Sequence, residues 1–207
     1  LRGSTCYEIT DRNGGLEEVK SGVEENIRFA KEVDEKKKHK KVLVEAMIGG
    51  HAPFTIPDEG LAMMSEAMKE TGRGMHLHVA EDKYDVVWSH HMYNEDIIDR
   101  LDRFGLLTDK TLLVHGLHLS EKEIRTINER DCFFAHNGRS NMNNHVGYCK
   151  NLPIIKNLVI GTDGCGGNMF EELKISFFKH KDEGLPFWPA EFVNALNRGN
   201  RLIEKSF

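Results

Sequence analysis

Apolar runs of strand length alternate with amphipathic helical stretches along most of this 207-residue chain. The runs occupy residues 3–10, 41–48, 75–79, 111–115, 132–136 and 158–163, and the run at 41–48 is nearly all apolar. A strand that is apolar on both faces is typical of a parallel sheet covered by helices. Six such runs therefore predict an α/β fold with a parallel sheet built from strand–helix units.

Helical spacing of apolar residues predicts the connecting helices. Residues 16–38 carry one apolar stripe, and similar patterns predict helices over residues 57–70, 95–104, 120–129, 170–181 and 189–205. In the helix at 120–129, Ser120 stands three residues before Glu123, which is the spacing of a capping box. The segment before residue 95, which contains His90 and His91, is predicted to be a polar loop.

Composition narrows the class of protein. A net charge of −5 and 39% hydrophobic residues describe an ordinary globular chain, with no expected nucleic-acid partner and no apolar run long enough for a membrane. The four cysteines form no CxxC pair, so a reducing, cytoplasmic setting is expected rather than a disulfide framework or a zinc ribbon. The first residues lack both an initiator Met and a signal peptide, which favours a fragment or a processed chain.

Ligand-type side chains stand at the ends of the predicted strands. They are His51, His78, His115, His136 and Asp163. The alternation of elements fits a doubly wound open sheet or a barrel, although no GxGxxG motif follows any strand as a dinucleotide-binding fold would require. In an α/β barrel the carboxyl ends of the strands meet on one face, which carries the active site. We therefore expect one shared polar site.

The segment His76-Leu77-His78 suggests what chemistry that site performs. In a strand, residues i and i+2 point to the same face, and Glu81 follows His78 by three positions. Metal binding uses neutral imidazoles, and hydrolysis uses a nearby carboxylate to move protons. His78 and Asp163 are predicted metal ligands, whereas His76 is expected to be packed. Further ligands would come from His51, His115 or His136, or from residues absent here.

Four segments in order, HLHVAE, VHGLHL, AHNGRSNMNN and GTDGCGGN, resemble the amidohydrolase superfamily of metal-dependent (β/α)8 barrels. The likeness covers nearly the whole chain and is strongest to the guanine deaminase, chlorohydrolase and SsnA-type branch. It implies a TIM-barrel fold with about six of the eight βα units present and the barrel open. Residues 1–207 would then be one partial barrel domain without the first strands and the flanking β-sandwich.

The resemblance implies a role for each strand-end residue. His78 would bind the metal at the end of the fifth barrel strand, and Asp163 would be the last ligand and a second base after the eighth. Glu81 would be the general acid/base, and His115 would orient the attacking water or polarise the substrate. The implied substrate-binding residues are His51, His136, Asn137 and Asn141, and Ser140 belongs to the same pocket-shaping loop.

Departures from the family pattern limit the expected metal site. The HxH pair of the first strand has no counterpart, so metal coordination is expected to be incomplete. Members of the family with two metals carry a carboxylated lysine at the end of the fourth strand, and no lysine occurs among residues 47–50, which favours one divalent metal. That metal is expected to be zinc rather than iron. Relatives commonly carry proline where Gly138 stands. The HxE and PCxxC signature of the other zinc deaminases does not occur.

The expected reaction is hydrolytic deamination of an amino-substituted, purine-like heterocycle by a metal-activated water. One alternative is hydrolysis of a C–Cl or cyclic amide bond on the same barrel. A second is an inactive fragment that self-associates through exposed sheet edges. The expected partners are a small-molecule substrate and a second copy of the chain in a homodimer, with no nucleic acid and no membrane.

Overall fold

Strands alternate with helices throughout residues 3–206, which are the residues that the computed structural model describes. The strands are β1 (Gly3–Thr5), β2 (Glu8–Ile9), β3 (Val44–Ala46), β4 (Ile48–Gly50), β5 (Met75–Val79), β6 (Leu112–His115), β7 (Phe133–His136) and β8 (Leu158–Ile160). The helices are α1 (Gly15–His39), α2 (Asp58–Thr71), α3 (Lys83–Tyr93), α4 (Ile97–Arg103), α5 (Glu121–Glu129), α6 (Gly138–Asn143), α7 (Met169–Asp182) and α8 (Pro189–Ser206). Within residues 3–206 no helix is both long and apolar enough to cross a membrane.

Six strands form one parallel sheet in the order β2-β4-β5-β6-β7-β8. β1 and β3 form a separate parallel pair. The predicted parallel α/β sheet is therefore confirmed. Within the described part of the chain β2 and β8 are the sheet edges, so the barrel is open, as expected of about six βα units.

Strand alternation gives the sheet two different faces. Leu77, Leu113 and Phe134 lie opposite one another in register and pack in the main core under the helices. The other face carries His76 and His78, with the neighbouring apolar side chains Val114, Phe133, Ala135 and Val159. We call this second surface the inner face. Its two histidines lie beside these four apolar side chains, which we call the apolar floor.

Two predicted strands are each divided in the structure. Residues 3–10 form β1 and β2, and residues 41–48 contribute to β3 and β4, with Met47 between them. The buried side chain of Asn26, in α1, lies at the division. Its Oδ1 accepts from the N–H groups of Tyr7 (3.0 Å) and Gly49 (3.2 Å), and its Nδ2 donates to Tyr7 O (2.9 Å). A side chain thus replaces backbone partners where the chain passes from one sheet to the other.

The predicted loop before residue 95 was wrong, because α3 occupies residues 83–93. Asp82 begins this helix by accepting a hydrogen bond from Tyr84 N (2.8 Å). His90 and His91 are exposed on it. The loop predicted after β7 contains the short helix α6. The capping box of Ser120 and Glu123 is confirmed.

Helix α8 crosses the β8 edge of the sheet. Its buried Phe192 packs in the main core, and Leu202 packs against the apolar floor of the inner face. Arg198 Nη1 donates to Leu158 O of β8 (3.2 Å), and Lys205 Nζ lies 3.3 Å from Asp131 Oδ2, just before β7. The helix therefore bridges both faces at this edge.

Candidate active site

Three histidines surround His78 at the carboxyl end of the sheet. Its ring centroid lies 5.3 Å from that of His115, 5.9 Å from His76 and 6.1 Å from His51. The backbone links two of the segments, because His78 N donates to His51 O (3.2 Å). The predicted convergence of the ends of β4, β5 and β6 is what the structure shows.

His115 lies between two carboxylates. Its Nε2 is 3.7 Å from Glu81 Oε2 and 3.8 Å from Asp163 Oδ2. On the other side of the ring, Nδ1 is 2.8 Å from Asn141 Oδ1, so the amide oxygen accepts from a protonated Nδ1. This hydrogen bond assigns the tautomer and directs Nε2 at both carboxylates.

Helix α6 holds the carboxylates in place. Ser140 Oγ donates to Asp163 Oδ2 (2.6 Å), and Asn144, which follows the helix, has its Nδ2 3.4 Å from Glu81 Oε1. Partial burial raises the pKa of Asp163, but hydrogen bonds from Ser140 and Gly164 N, together with His115, outweigh it and lower the pKa overall. Sequence reasoning missed Asn144, although Ser140 and Asn144 have the i, i+4 spacing that places two side chains on one side of a helix.

Three non-glycine residues at these strand ends have left-handed backbone conformations. They are Ala80 (φ 45°), His115 (φ 72°) and Asp163 (φ 51°). Strand alternation alone would place the side chain of His115 on the helix-covered face. Its backbone is left-handed, however, and its ring instead reaches His78. Each such residue costs about 1–2 kcal/mol. Three of the six non-glycine residues with positive φ among residues 3–206 are therefore at these strand ends.

Burial favours the neutral form of three of these histidines, His76, His78 and His51, by lowering the pKa of each. It lowers the pKa of His76 to about 4, with His78 and His115 adding to the effect. Burial, followed by the neighbouring His115, also lowers the pKa of His78. For His51, burial and then Arg12 lower the pKa. A neutral imidazole is the form that binds a metal.

The predicted substrate-binding residues occupy different environments. His51 is half-buried, and its Nδ1 is 2.9 Å from Thr55 Oγ1. Asn141 is fully buried against His115, which makes it a group that orients that ring. Asn137 is buried beside Gly161, where a Cβ atom would overlap Asn137 Oδ1. His51 and Asn137 remain predicted substrate contacts.

His136 lies on the helix-covered face rather than on the inner face. It is opposite Ile160 in register, its ring centroid is 5.1 Å from that of Tyr148, and the side chain is fully buried. Neither ring nitrogen has a hydrogen-bond partner within the described residues, and burial lowers its pKa to about 3. The structure therefore does not place His136 in the cluster around His78, and its substrate contact stays a prediction.

The donor types at the site fit a divalent ion such as zinc. Neutral imidazole nitrogen from His78 and ionised carboxylate oxygen from Asp163 are both common zinc ligands. Within residues 3–206, however, no group of three or more His, Cys, Asp or Glu side chains has the geometry to hold a metal ion. A catalytic zinc takes three protein ligands, so these two residues can supply only part of a set.

A family profile, that of the amidohydrolase family, matches residues 1–200. The 5-methylthioadenosine/S-adenosylhomocysteine deaminase of Thermococcus sibiricus is 33% identical over 145 residues, covering 67% of this chain and 34% of the relative. The 5'-deoxyadenosine deaminase of Methanopyrus kandleri is 32% identical over 165 residues, covering 76% of this chain and 38% of the relative. The chain thus spans little more than a third of the length of these relatives.

Solved structures have the same fold. An adenosine deaminase from Xanthomonas campestris with bound zinc superimposes with a TM-score of 0.73 at 26% identity, covering 94% of this chain and 44% of that one. A guanine deaminase from C. acetobutylicum with bound guanine gives a TM-score of 0.79 at 17% identity, covering 97% and 50%. The second likeness concerns the fold alone.

Proposed function

Because the chain belongs to the amidohydrolase family, we propose that it carries active-site residues of a metal-dependent hydrolase that deaminates a purine-like heterocycle. The observation that supports this most directly is the position of His115. Its Nε2 faces two carboxylates, at 3.7 Å and 3.8 Å, that come from two other strand ends. An imidazole between two carboxylates can hold and redirect the protons that hydrolysis moves.

We propose that His78 and Asp163 contribute two ligands to one divalent ion, with zinc favoured by the nitrogen and oxygen donor pair. A bound ion of this kind makes water acidic, lowering its pKa roughly from 16 to 7. Ser140 supports this role of Asp163, because its hydrogen bond favours the ionised carboxylate. The zinc in the adenosine deaminase of similar fold agrees with this choice of metal.

Glu81 is the proposed proton carrier. It would accept a proton from the attacking water and deliver it to the ring nitrogen beside the carbon that loses its amine. Its carboxylate is about one-third exposed, so it can reach a ligand, and Asn144 holds its second oxygen (3.4 Å). These contacts leave Oε2 directed at His115.

His115 would orient the attacking water, because an Nε2 without a proton can accept a hydrogen bond from it. The Asn141 hydrogen bond fixes its ring, so that Nε2 needs little reorganisation during the reaction. Asp163 is the proposed second base, which would pass the last proton to the departing ammonia. In this scheme His51 and Asn137 would contact the substrate, and Asn141 would act through His115.

The substrate class follows from the names of the similar proteins, which act on adenosine derivatives and guanine. Both carry an amine on a purine ring, so the proposed substrate is a small aminopurine or its nucleoside. Four free thiols support a reducing cytoplasmic setting. The expected homodimer remains a prediction that sedimentation can test.

Ammonia release from adenosine, 5'-deoxyadenosine and guanine, with zinc or iron supplied separately, tests the proposal. Glu81→Gln is expected to lower kcat by at least about a hundredfold, in the range of a lost general acid/base. The matched control is Glu129→Gln, which changes an exposed glutamate at the end of α5. Equal rates for the two variants would refute the role of Glu81. Chloride release from a chlorinated heterocycle, with no ammonia from aminopurines, would replace the proposed reaction with the alternative one.

A further inference from the structure

Asp85 is a buried carboxylic acid that the proposed chemistry does not use. It lies in the first turn of α3, is only 3% exposed, and points its Oδ2 at the backbone N–H of Ala80 (2.6 Å). Its second oxygen, Oδ1, is buried without a hydrogen-bond partner among residues 3–206. A half-satisfied buried carboxyl is costly, so its presence calls for a physical explanation.

The group that Asp85 holds is itself unusual. Ala80 is fully buried and left-handed (φ 45°), a conformation that alanine adopts only under constraint. Its N–H is bound by Asp85, and its C=O accepts from His118 N (3.3 Å). The peptide groups on both sides of Ala80 are therefore fixed, and the turn that follows β5 has one direction.

Glu81 is the next residue after this turn. A change of φ at Ala80 would change the direction of the chain at Glu81 and move its carboxylate, whose Oε2 lies 3.7 Å from His115 Nε2. We propose that Asp85 is a positioning residue: by accepting the Ala80 N–H, it holds the left-handed turn that directs Glu81 toward His115. The catalytic meaning of this inference rests on the proposed function of Glu81, but the conformational part does not.

The surroundings of Asp85 make the hydrogen bond sensitive to pH. Burial raises the pKa of Asp85 to about 7, while the Ala80 N–H and Arg100 of α4 act to lower it and Glu123 of α5 acts to raise it. The ionised carboxylate is the stronger acceptor. The Ala80 amide proton should therefore shift as the carboxyl titrates near neutral pH.

Nuclear magnetic resonance of the labelled chain tests the conformational part directly. The Cα and Cβ shifts of Ala80 report its left-handed backbone, and Asp85→Ala is expected to move them toward ordinary values. Asp85→Asn keeps an acceptor and is expected to keep these shifts, but to abolish the titration of the Ala80 amide proton seen in the wild type. The matched control is Asp82→Ala, which removes the cap of the same helix and leaves the Ala80 bond intact.

A rescue variant separates positioning from general damage. Glycine adopts positive φ without strain, so Ala80→Gly added to Asp85→Ala should restore the turn. In ammonia release, Asp85→Ala is expected to lower kcat by about tenfold with KM unchanged, and the added glycine should recover most of the loss.

The outcomes are distinct. Unchanged Ala80 shifts in Asp85→Ala, or equal changes in Asp82→Ala, would overturn the inference. If Asp85→Ala does not fold, the Ala80 amide proton decides the matter. A proton that titrates in the wild type and not in Asp85→Asn supports the inference, and a proton that is insensitive to pH in both chains overturns the inference. A wild-type chain that releases no ammonia counts against the proposed function, while the shifts still decide the role of Asp85.

Discussion

Replacing Asn26 by alanine is expected to destabilise the fold by about 3 kcal/mol. The side chain satisfies the N–H and C=O of Tyr7 and the N–H of Gly49. A buried backbone group left unpaired costs about 1–3 kcal/mol. The Gly49 hydrogen bond is buried and incurs most of that penalty, whereas the two Tyr7 hydrogen bonds are only partly buried and water can partly replace them. Urea unfolding followed by circular dichroism measures the difference.

Asn26→Leu distinguishes lost hydrogen bonds from lost packing. Leucine has the same number and branching of side-chain heavy atoms as asparagine but cannot hydrogen-bond to any of the three backbone groups. If hydrogen bonding is the cause, leucine should destabilise as much as alanine. The matched control is Glu24→Ala at an exposed position of α1, which should change stability by less than about 0.5 kcal/mol. Wild-type stability in Asn26→Leu would refute the reasoning.

Three further predictions concern the site and its supports. Gly161→Ala should destabilise by about 1–3 kcal/mol and displace Asn137, because the added Cβ overlaps Asn137 Oδ1; unchanged urea unfolding would contradict this. Arg100→Lys should lower the free energy of unfolding by about 3 kcal/mol, measured by thermal unfolding. The buried guanidinium donates to Ile56 O (2.8 Å) from a planar group with several N–H donors, which lysine lacks. A loss under 1 kcal/mol would disprove this prediction. The pKa of Asp85 in the folded chain, about 7, is raised above its value in the unfolded chain. The protonated carboxyl therefore contributes its full stability below pH 4, and this contribution is lost as the pH rises through 7. Wild type should thus lose on the order of 4 kcal/mol relative to Asp85→Asn between those pH values, and parallel pH curves would exclude the effect.

The alternation of strands with helices, and the positions of residues at strand ends, predicted those features of the fold and site that depend on local sequence pattern. The convergence of His78, His115 and Asp163 followed because parallel strands end at one edge of a sheet. The division at Met47 could not be predicted, because it depends on Asn26, a side chain distant in sequence. Helix α3 was missed because its apolar residues do not form one stripe. The face occupied by His136 depends on the register of β7, which the sequence alone does not determine.

Helix α8 has a consequence for solution behaviour. The carbonyl of Leu158 points away from β7, toward an edge where another chain could add a strand, and Arg198 binds it. At the opposite edge, β2 is only two residues long and offers little to pair with. A chain that lost α8 would therefore expose a template for intermolecular pairing, and aggregation would begin at β8. Proteolysis within α8 would then be a route from the folded chain to aggregates.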